Sequence, residues 1–325
     1  MHWKVGYEIE LLAPVGKNRR DLAEAIATHV GGTVRRCFHL ESEPSKVPGM
    51  ALFRTLTLGF EVVDGQGRSL GRCVDDLTLQ ADLDKSAPPT PSWYRIVSDD
   101  LRLLGLVMRH CDPEQDRERV LGPVADLFGV AVDRGPGGMF RVRDELGAPI
   151  AIAAPLPGQR DRPCELVTAP IDGDRGLVLG PLLDTVRELG FGVPKEAALH
   201  IHFDGGALCS APVFARLVQT FDARREELRE RFGTNPNCRR LGPWPPELLD
   251  MVGTPGFVDL GWDEARARLK KLRLSKFRDF NVSNLVMEPP GKLTFEVRIL
   301  PVSLEVDQIL EWTGVFEGLL RSVVE

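Results

Sequence analysis

Three pairs of side chains able to do chemistry recur in one spacing: Glu8 and Glu10 in WKVGYEIEL, His200 and His202 in LHIHF, and Glu296 and Arg298 in FEVRI. In each pair the polar residues stand at i and i+2, and the residues between and beside them are mostly large and apolar: Tyr7 and Ile9, Leu199, Ile201 and Phe203, Phe295, Val297 and Ile299. Alternating side chains on a strand put both members of a pair on one face, about 6.6 Å apart at ~3.3 Å per residue. The other face is then free to pack on helices. If the three strands are neighbours, the polar face becomes a basin of carboxylates and imidazoles closed by one guanidinium. Such a basin suits Mg²⁺ or Mn²⁺ together with phosphate oxygens, because hard carboxylate oxygens hold a small dication that commonly shares its shell with phosphates. Without a cation the clustered carboxylates would repel one another and one would have to take up a proton. Arg298 offers a planar fork for a phosphoryl or carboxylate oxygen.

Each pair alone has an ordinary reading. Glu-x-Glu is commonly a solvated sheet face, His-x-His a structural pair, and Glu296 with Arg298 a single ion pair. Their joint occurrence in strands of matching pattern argues for a site.

The elements that would carry these residues can be read from periodicity. Residues 3–12 alternate as a strand, with Trp3, Val5, Tyr7, Ile9 and Leu11 on one face. Asn18 caps a helix running to Gly31–Gly32. The runs RRCFHL, TLGFEVVD and SLGRCVDDLTLQADL read as strands, the last two paired around Gly65 and Gly67. SAPPTPSW at 85–93 is a loop, and residues 85–157 form a candidate inserted subdomain with helices at 99–110 and 114–128 and a hairpin at DRGPGG. A helix spans Asp174 to Leu189, and a long one opens at Pro212 and ends on the charged run Arg224–Arg231. PNCRRLGPWPPE is a loop by composition, ARARLKKLR a short helix, KFRDFNVSNL and KLTFEVRIL strands around Pro289–Pro290–Gly291, and 303–324 an amphipathic helix. Strands and helices without β–α periodicity predict an α+β chain with a largely antiparallel sheet.

Composition narrows the function classes. The chain has 325 residues, 43% hydrophobic and 27% charged, and a net charge of −6, which argues against broad phosphate neutralisation on nucleic acid. A small-molecule or peptide ligand fits better. The amino terminus lacks a basic-then-apolar leader, no run is long enough to span a membrane, and the six cysteines include no C-x-x-C pair. A cytoplasmic protein with reduced thiols is expected, with no membrane and no nucleic-acid partner. Gly135–Gly138 is a turn and no phosphate loop, RREELRERF a solvated helix face, and Arg239–Arg240 and Lys270–Lys271 surface charge. Cys164 would be a nucleophile only with a base beside it.

GYEIELLAP near the start, ELVTAPI in mid-chain, ALHIHFD and FEVRILPVSLEVDQILEW near the end together resemble, in order, the amidoligase family. The resemblance spans the chain from Gly6 to the last helix. It implies ATP-dependent carboxylate–amine ligases with the curved antiparallel sheet and flanking helices of the glutamine synthetase and glutamate–cysteine ligase fold. It also implies an acyl phosphate intermediate, ATP and Mg²⁺ or Mn²⁺ as cofactors, and a small-molecule or peptide carboxylate and an amine as substrates. Glu8, Glu10, Glu165, His200 and Glu296 then correspond to metal ligands. His202 and Arg298 face the nucleotide phosphates and the transferred group, so that catalysis falls to Arg298, Glu296, His202 and Arg278, and nucleotide binding to His202, Arg298, Asn281 and Asn284. A tidy Asp-x-Ser-Leu signature is missing, with Asp82, Asp84 and Asp99–Asp100 as approximate stand-ins. The C-terminal helix and a sheet edge are the two candidate surfaces for a homo-oligomer. Two other functions fit the same residues: a metal-dependent hydrolase that activates water, and a non-catalytic relative that binds a nucleotide or peptide.

Overall fold

In the computed structural model, which describes residues 2–44, 52–238, 240–289 and 291–325, the apolar–polar alternations become strands and the 3.6-residue periods become helices. The strands are β1 (Val5–Leu12), β2 (Thr33–Pro44), β3 (Leu52–Val63), β4 (Ser69–Val74), β5 (Tyr94–Val97), β6 (Asp133–Arg134), β7 (Phe140–Arg143), β8 (Pro149–Pro155), β9 (Pro163–Thr168), β10 (Leu199–Asp204), β11 (Phe280–Asn281) and β12 (Thr294–Leu300). The helices are α1 (Arg19–His29), α2 (Leu101–His110), α3 (Gly122–Phe128), α4 (Arg175–Glu188), α5 (Ala211–Ala223), α6 (Arg225–Phe232), α7 (Pro246–Gly253), α8 (Trp262–Lys270), α9 (Ser283–Met287) and α10 (Val306–Val324). The chain is mixed α and β, and its sheet is largely antiparallel: β10 pairs in that sense with β1 and β12, β12 with β11, β3 with β4 and β5, and β8 with β5 and β7. Among the described residues no helix is long and apolar enough to cross a membrane, and all six cysteines are free thiols.

The residues group into two compact units. Met1–Glu10, Thr168–Asp184 and Glu196–Glu325 make the first; Leu11–Val167 and Thr185–Lys195 make the second.

In the first unit the strands run in the order β11, β12, β10, β1. Glu8 stands opposite His200, His202 opposite Glu296, and Asn281 opposite Glu296 on the far side. Directly opposed residues share a face, so one face carries the polar set. The other face packs on aromatic side chains: Phe221 of α5 lies edge-on to Phe280 and Phe295, and Phe316 of α10 stacks on Phe232. Tyr7 reaches α10, where its hydroxyl lies 3.1 Å from Thr313 Oγ1 in the core. Between the Ile201–Val297 and Leu199–Leu300 pairs, two residues of β12, Arg298 and Ile299, oppose the single His200. This bulge bends the strand and re-aims its side chains, so Leu300, and not Ile299, shares a rung with Leu199.

In the second unit the order is β9, β4, β3, β5, β8, β7, β6, with β2 added on β3. Helix α1 covers this sheet with Leu22, Ala23, Ile26 and Ala27, all buried. Asn18 closes a capping box with Asp21 at its start. Residues 85–157 lie inside this unit and join it through β5, which pairs with β3 and β8.

Several elements differ from the pattern reading for local reasons. The strand predicted from Ser69 to Leu83 ends at Val74, because Asp75 turns into an ion pair with Arg160 and the Asp76 carboxylate accepts from the Thr78 amide. The predicted helix 114–128 shortens to α3, since Asp112 and Asp116 bind the amides of Glu114 and Arg119 and stabilise turns in its place. The long helix from Pro212 breaks at Arg224 into α5 and α6. The supposed loop at PPE opens α7, with Pro246 at its first position. KFRDFNVSNL gives only the two residues of β11 before the short helix α9, because Asn281 Oδ1 accepts from the amide and hydroxyl of Ser283 and turns the chain. The proposed turn residue Pro290 and the surface cation Arg239 lie outside the described residues.

Candidate functional site

β1, β10 and β12 bring the first unit's site residues onto one polar face. His200 Nδ1 lies 3.1 Å from Glu8 Oε2 and His200 Nε2 3.6 Å from Glu10 Oε1. His202 Nε2 lies 3.1 Å from Glu8 Oε1 and 3.8 Å from Glu296 Oε1. Arg298 Nη1 donates to Glu296 Oε1 at 2.5 Å and Asn281 Nδ2 to Glu296 Oε2 at 2.6 Å. The Ala198 amide donates to Glu10 Oε2 at 2.7 Å, which fixes that carboxylate against the backbone. The side chains of Glu8 and His202 keep 20% and 17% of their surface exposed, whereas Glu10, His200 and Glu296 keep 5% or less. Solvent therefore reaches the basin over Glu8 and His202.

The charges act on one another strongly. Burial would raise the Glu8 carboxyl, but His202 and His200 beside it hold it well below the usual carboxylate range. Glu296 is held down to about 2: Arg298, with His202, outweighs the cost of burial. His200 is lowered by burial and by Arg298, so the neutral imidazole is favoured there. His202 is raised, because Glu8 and Glu296 outweigh its burial. Arg298 is raised by Glu296.

Two observations bear on whether these groups suit a cation. Both ring nitrogens of His200 face carboxylate oxygens, yet a neutral imidazole has one N–H to give. His202 Nε2 is buried and 3.1 Å from Glu8 Oε1 without an aligned hydrogen bond. Glu8, His202 and Glu296 each offer a ligand atom within 4.8 Å of the others. Two carboxylate oxygens and one imidazole nitrogen that converge this closely form a donor set for a divalent cation.

The remaining sequence-derived residues occupy varied places. Asn284 Nδ2 donates to Thr294 Oγ1 at 3.1 Å, and that hydroxyl lies 3.3 Å from His202 Nδ1. Asn284 thus steadies His202 through Thr294. Arg278 Nη1 donates to the Pro243 carbonyl at 2.9 Å. Glu165 stands half-buried on β9 in the second unit. Asp82 accepts from the Lys195 amide, Asp84 from Ser86, and Asp100 caps α2. Cys164 is fully buried, and burial, together with the neighbouring Cys73 thiol, pushes its thiol well up, which makes it a poor nucleophile.

The pattern reading missed two residues. Thr294 stands two before Glu296, so the alternation Thr-x-Glu-x-Arg could have placed it on the polar face. Asp279 is buried and accepts from Arg225 Nε at 2.5 Å, Arg229 Nη1 at 2.8 Å and the Gly242 amide at 2.8 Å, while its own carbonyl takes the Arg298 amide. Nothing in its sequence neighbourhood signals that role.

A family model described as "Putative amidoligase enzyme" matches residues 1–315. The chain belongs to the amidoligase family. That family is one of ligases that form amide bonds, and the match takes in every strand from β1 to β12 and the first half of α10. No curated protein matches the chain, and no solved structure does.

Proposed function

We propose that this amidoligase is an ATP-dependent carboxylate–amine ligase working through an acyl phosphate, on the glutamine synthetase type of fold. The observation that carries the reading is the convergence of Glu8, His202 and Glu296 within 4.8 Å, with Arg298 on Glu296 at 2.5 Å. A carboxylate is a poor electrophile and needs activation. One of its oxygens attacks the γ-phosphorus of ATP and ADP leaves; the amine nitrogen then attacks the acyl carbon, phosphate departs, and the amine proton goes to solvent. Amide or isopeptide bond, ADP and phosphate are the products. No protein nucleophile is required.

The protein's contribution is positioning and charge neutralisation. Glu8, Glu10, His200 and Glu296 would hold Mg²⁺ or Mn²⁺, which supplies neutralisation of phosphate oxygens. Glu165 joins the ligands on the sequence resemblance. Arg298 faces the phosphate oxygens and holds the charge that develops on the transferred group, while His202, which the resemblance sets beside the phosphates, converges with Glu8 and Glu296 and would join the cation's ligands once its imidazole is neutral. Asn281 orients Glu296, and Asn284 orients His202 through Thr294. The decisive test is product analysis with ATP, Mg²⁺ and panels of amino-acid and peptide carboxylates and amines. ADP and phosphate formed in step with amide supports the reading. AMP and pyrophosphate, or turnover without ATP, overturns it.

A further inference from the structure

The second unit holds a cavity of about 260 Å³ with a lining unlike the carboxylate basin. Its polar wall is Thr57, Gln80, Lys85, Arg95, Gln159 and Arg160, and the rest is leucine and proline. Three of these six are cations, and among the described residues no carboxylate lines it, although the chain as a whole carries −6. Thr57 and Arg95 stand directly opposite each other on β3 and β5, so their side chains share a face.

Two buried donors in this wall have no acceptor. Thr57 is 1% exposed and its hydroxyl makes no hydrogen bond. Arg160 is fixed by Nη1 on the Leu79 carbonyl and Nη2 on Asp75 and the Asp76 carbonyl, at 2.6–2.9 Å, which leaves its buried Nε without a partner. Buried donors are nearly always satisfied, and an unsatisfied pair on two residues that line one cavity points to an acceptor that belongs there. The walls are also held in advance. Gln159 Oε1 accepts from the Asp84 amide at 3.1 Å and Arg162 Nη1 at 2.5 Å. Gly158, at φ +57°, lets the loop lie so close that an added Cβ would stand 3.0 Å from the Asp84 carbonyl. Such preorganisation lowers the cost of ordering a ligand.

We propose that this cavity is a binding site for an oxyanion, a carboxylate or a phosphate, carried on a small aliphatic molecule. Thr57 and Arg160 Nε donate to the oxygens, Lys85 and Arg95 supply the counter-charge, and Leu77, Leu83 and Leu156 cover the aliphatic part. The volume lies just under the roughly 300–1,000 Å³ of drug-sized sites, which limits the ligand to about the size of an amino acid or a short dicarboxylic acid. The assignment does not depend on the ligase reading, since it concerns binding by the second unit.

The test is isothermal titration of the full chain, without nucleotide or added cation, with glutarate and separately with inorganic phosphate. Saturable binding of either probe that weakens with salt is expected; glutarate alone would mark the site as one for carboxylates, phosphate alone as one for phosphoryl groups. Thr57→Val and Lys85→Gln should each weaken binding about tenfold, and Thr57→Val should melt no lower than the parent, because it removes a hydroxyl that bonds to nothing. Absence of saturable binding of both probes overturns the proposal. So does a Thr57→Val protein that binds as the parent does, or a loss of binding seen only in Arg298→Lys, which would put the probe in the basin of the first unit. Failure to form amides in the product assay leaves each of these outcomes readable.

Discussion

Cation binding to the basin should gain about tenfold in affinity per pH unit up to the raised pKa of His202, and then level off. Five of the groups there have displaced titrations, and of the two imidazoles only His202 is shifted upward. Glu8 sits well below the carboxylate range and Glu296 at about 2, so both remain anionic. His200 is lowered below the ordinary 6.5 and has shed its proton by neutral pH. His202 is raised above 6.5 by Glu8 and Glu296, and it must lose its proton before Nε2, 3.1 Å from Glu8 Oε1, can donate to a metal. Below that pKa each bound Mn²⁺ therefore releases about one proton, and each pH unit is worth about 1.4 kcal/mol. Above it the release falls towards zero. Stability in the absence of metal runs the other way: a raised folded-state pKa contributes stability present below 6.5 and lost as pH rises through the folded value. Added cation should then raise the melting temperature most on the alkaline side. The assay is titration with Mn²⁺ in buffers of different ionisation enthalpy from about pH 5.5 to 8.5, which counts protons directly. Affinity independent of pH, or a proton count near zero throughout, would refute the assignment of His202 as a ligand.

Three further outcomes follow from particular contacts. Asp75, fully buried, takes Arg160 at 2.6 Å with Arg19 at 3.7 Å, so Asp75→Asn leaves two buried guanidiniums uncompensated and should cost the second unit about 3–5 kcal/mol in denaturant unfolding; a midpoint unchanged from the parent would contradict it. In Gly32→Ala the new Cβ would stand 2.1 Å from the Val63 carbonyl oxygen, which neither backbone can easily relieve, and a loss of about 1–3 kcal/mol is expected by thermal melting. Arg298→Lys keeps a charge but loses the planar fork on Glu296, and amide formation should fall at least ~100-fold with an unchanged circular dichroism spectrum; turnover within a few-fold of the parent would remove Arg298 from the chemistry.

The polar face was legible because strands have a period of two. Spacing put each pair on one face of its own strand, and the register then made Glu8 a rung partner of His200 and Glu296 a rung partner of His202. What spacing could not give is phase across a bulge: Phe295, Val297 and Ile299 alternate in the sequence, yet the extra residue at Arg298–Ile299 moves Leu300 onto the rung with Leu199. Side chains that compete with the backbone also hid boundaries. Asp116 and Asn281 each bond to nearby amides, and pattern reading extended a helix or strand through them. Long-range polar contacts were invisible for a simpler reason. Asp279 and Arg225 are 54 positions apart, and no local pattern announces that they will meet.

The pair between Arg298 and Glu296 has a consequence for the order in which ligands arrive. Among Glu8, Glu10, Glu296, Arg298 and His202 the formal charges leave one negative while His202 is protonated and two once it is neutral. A polyphosphate approaching this set meets repulsion in either state. A dication entering the neutral-imidazole state cancels that charge and removes the repulsion on the incoming anion. Cation and nucleotide should therefore be thermodynamically coupled, each tightening the other by the same factor, with cation first as the favoured sequence of addition.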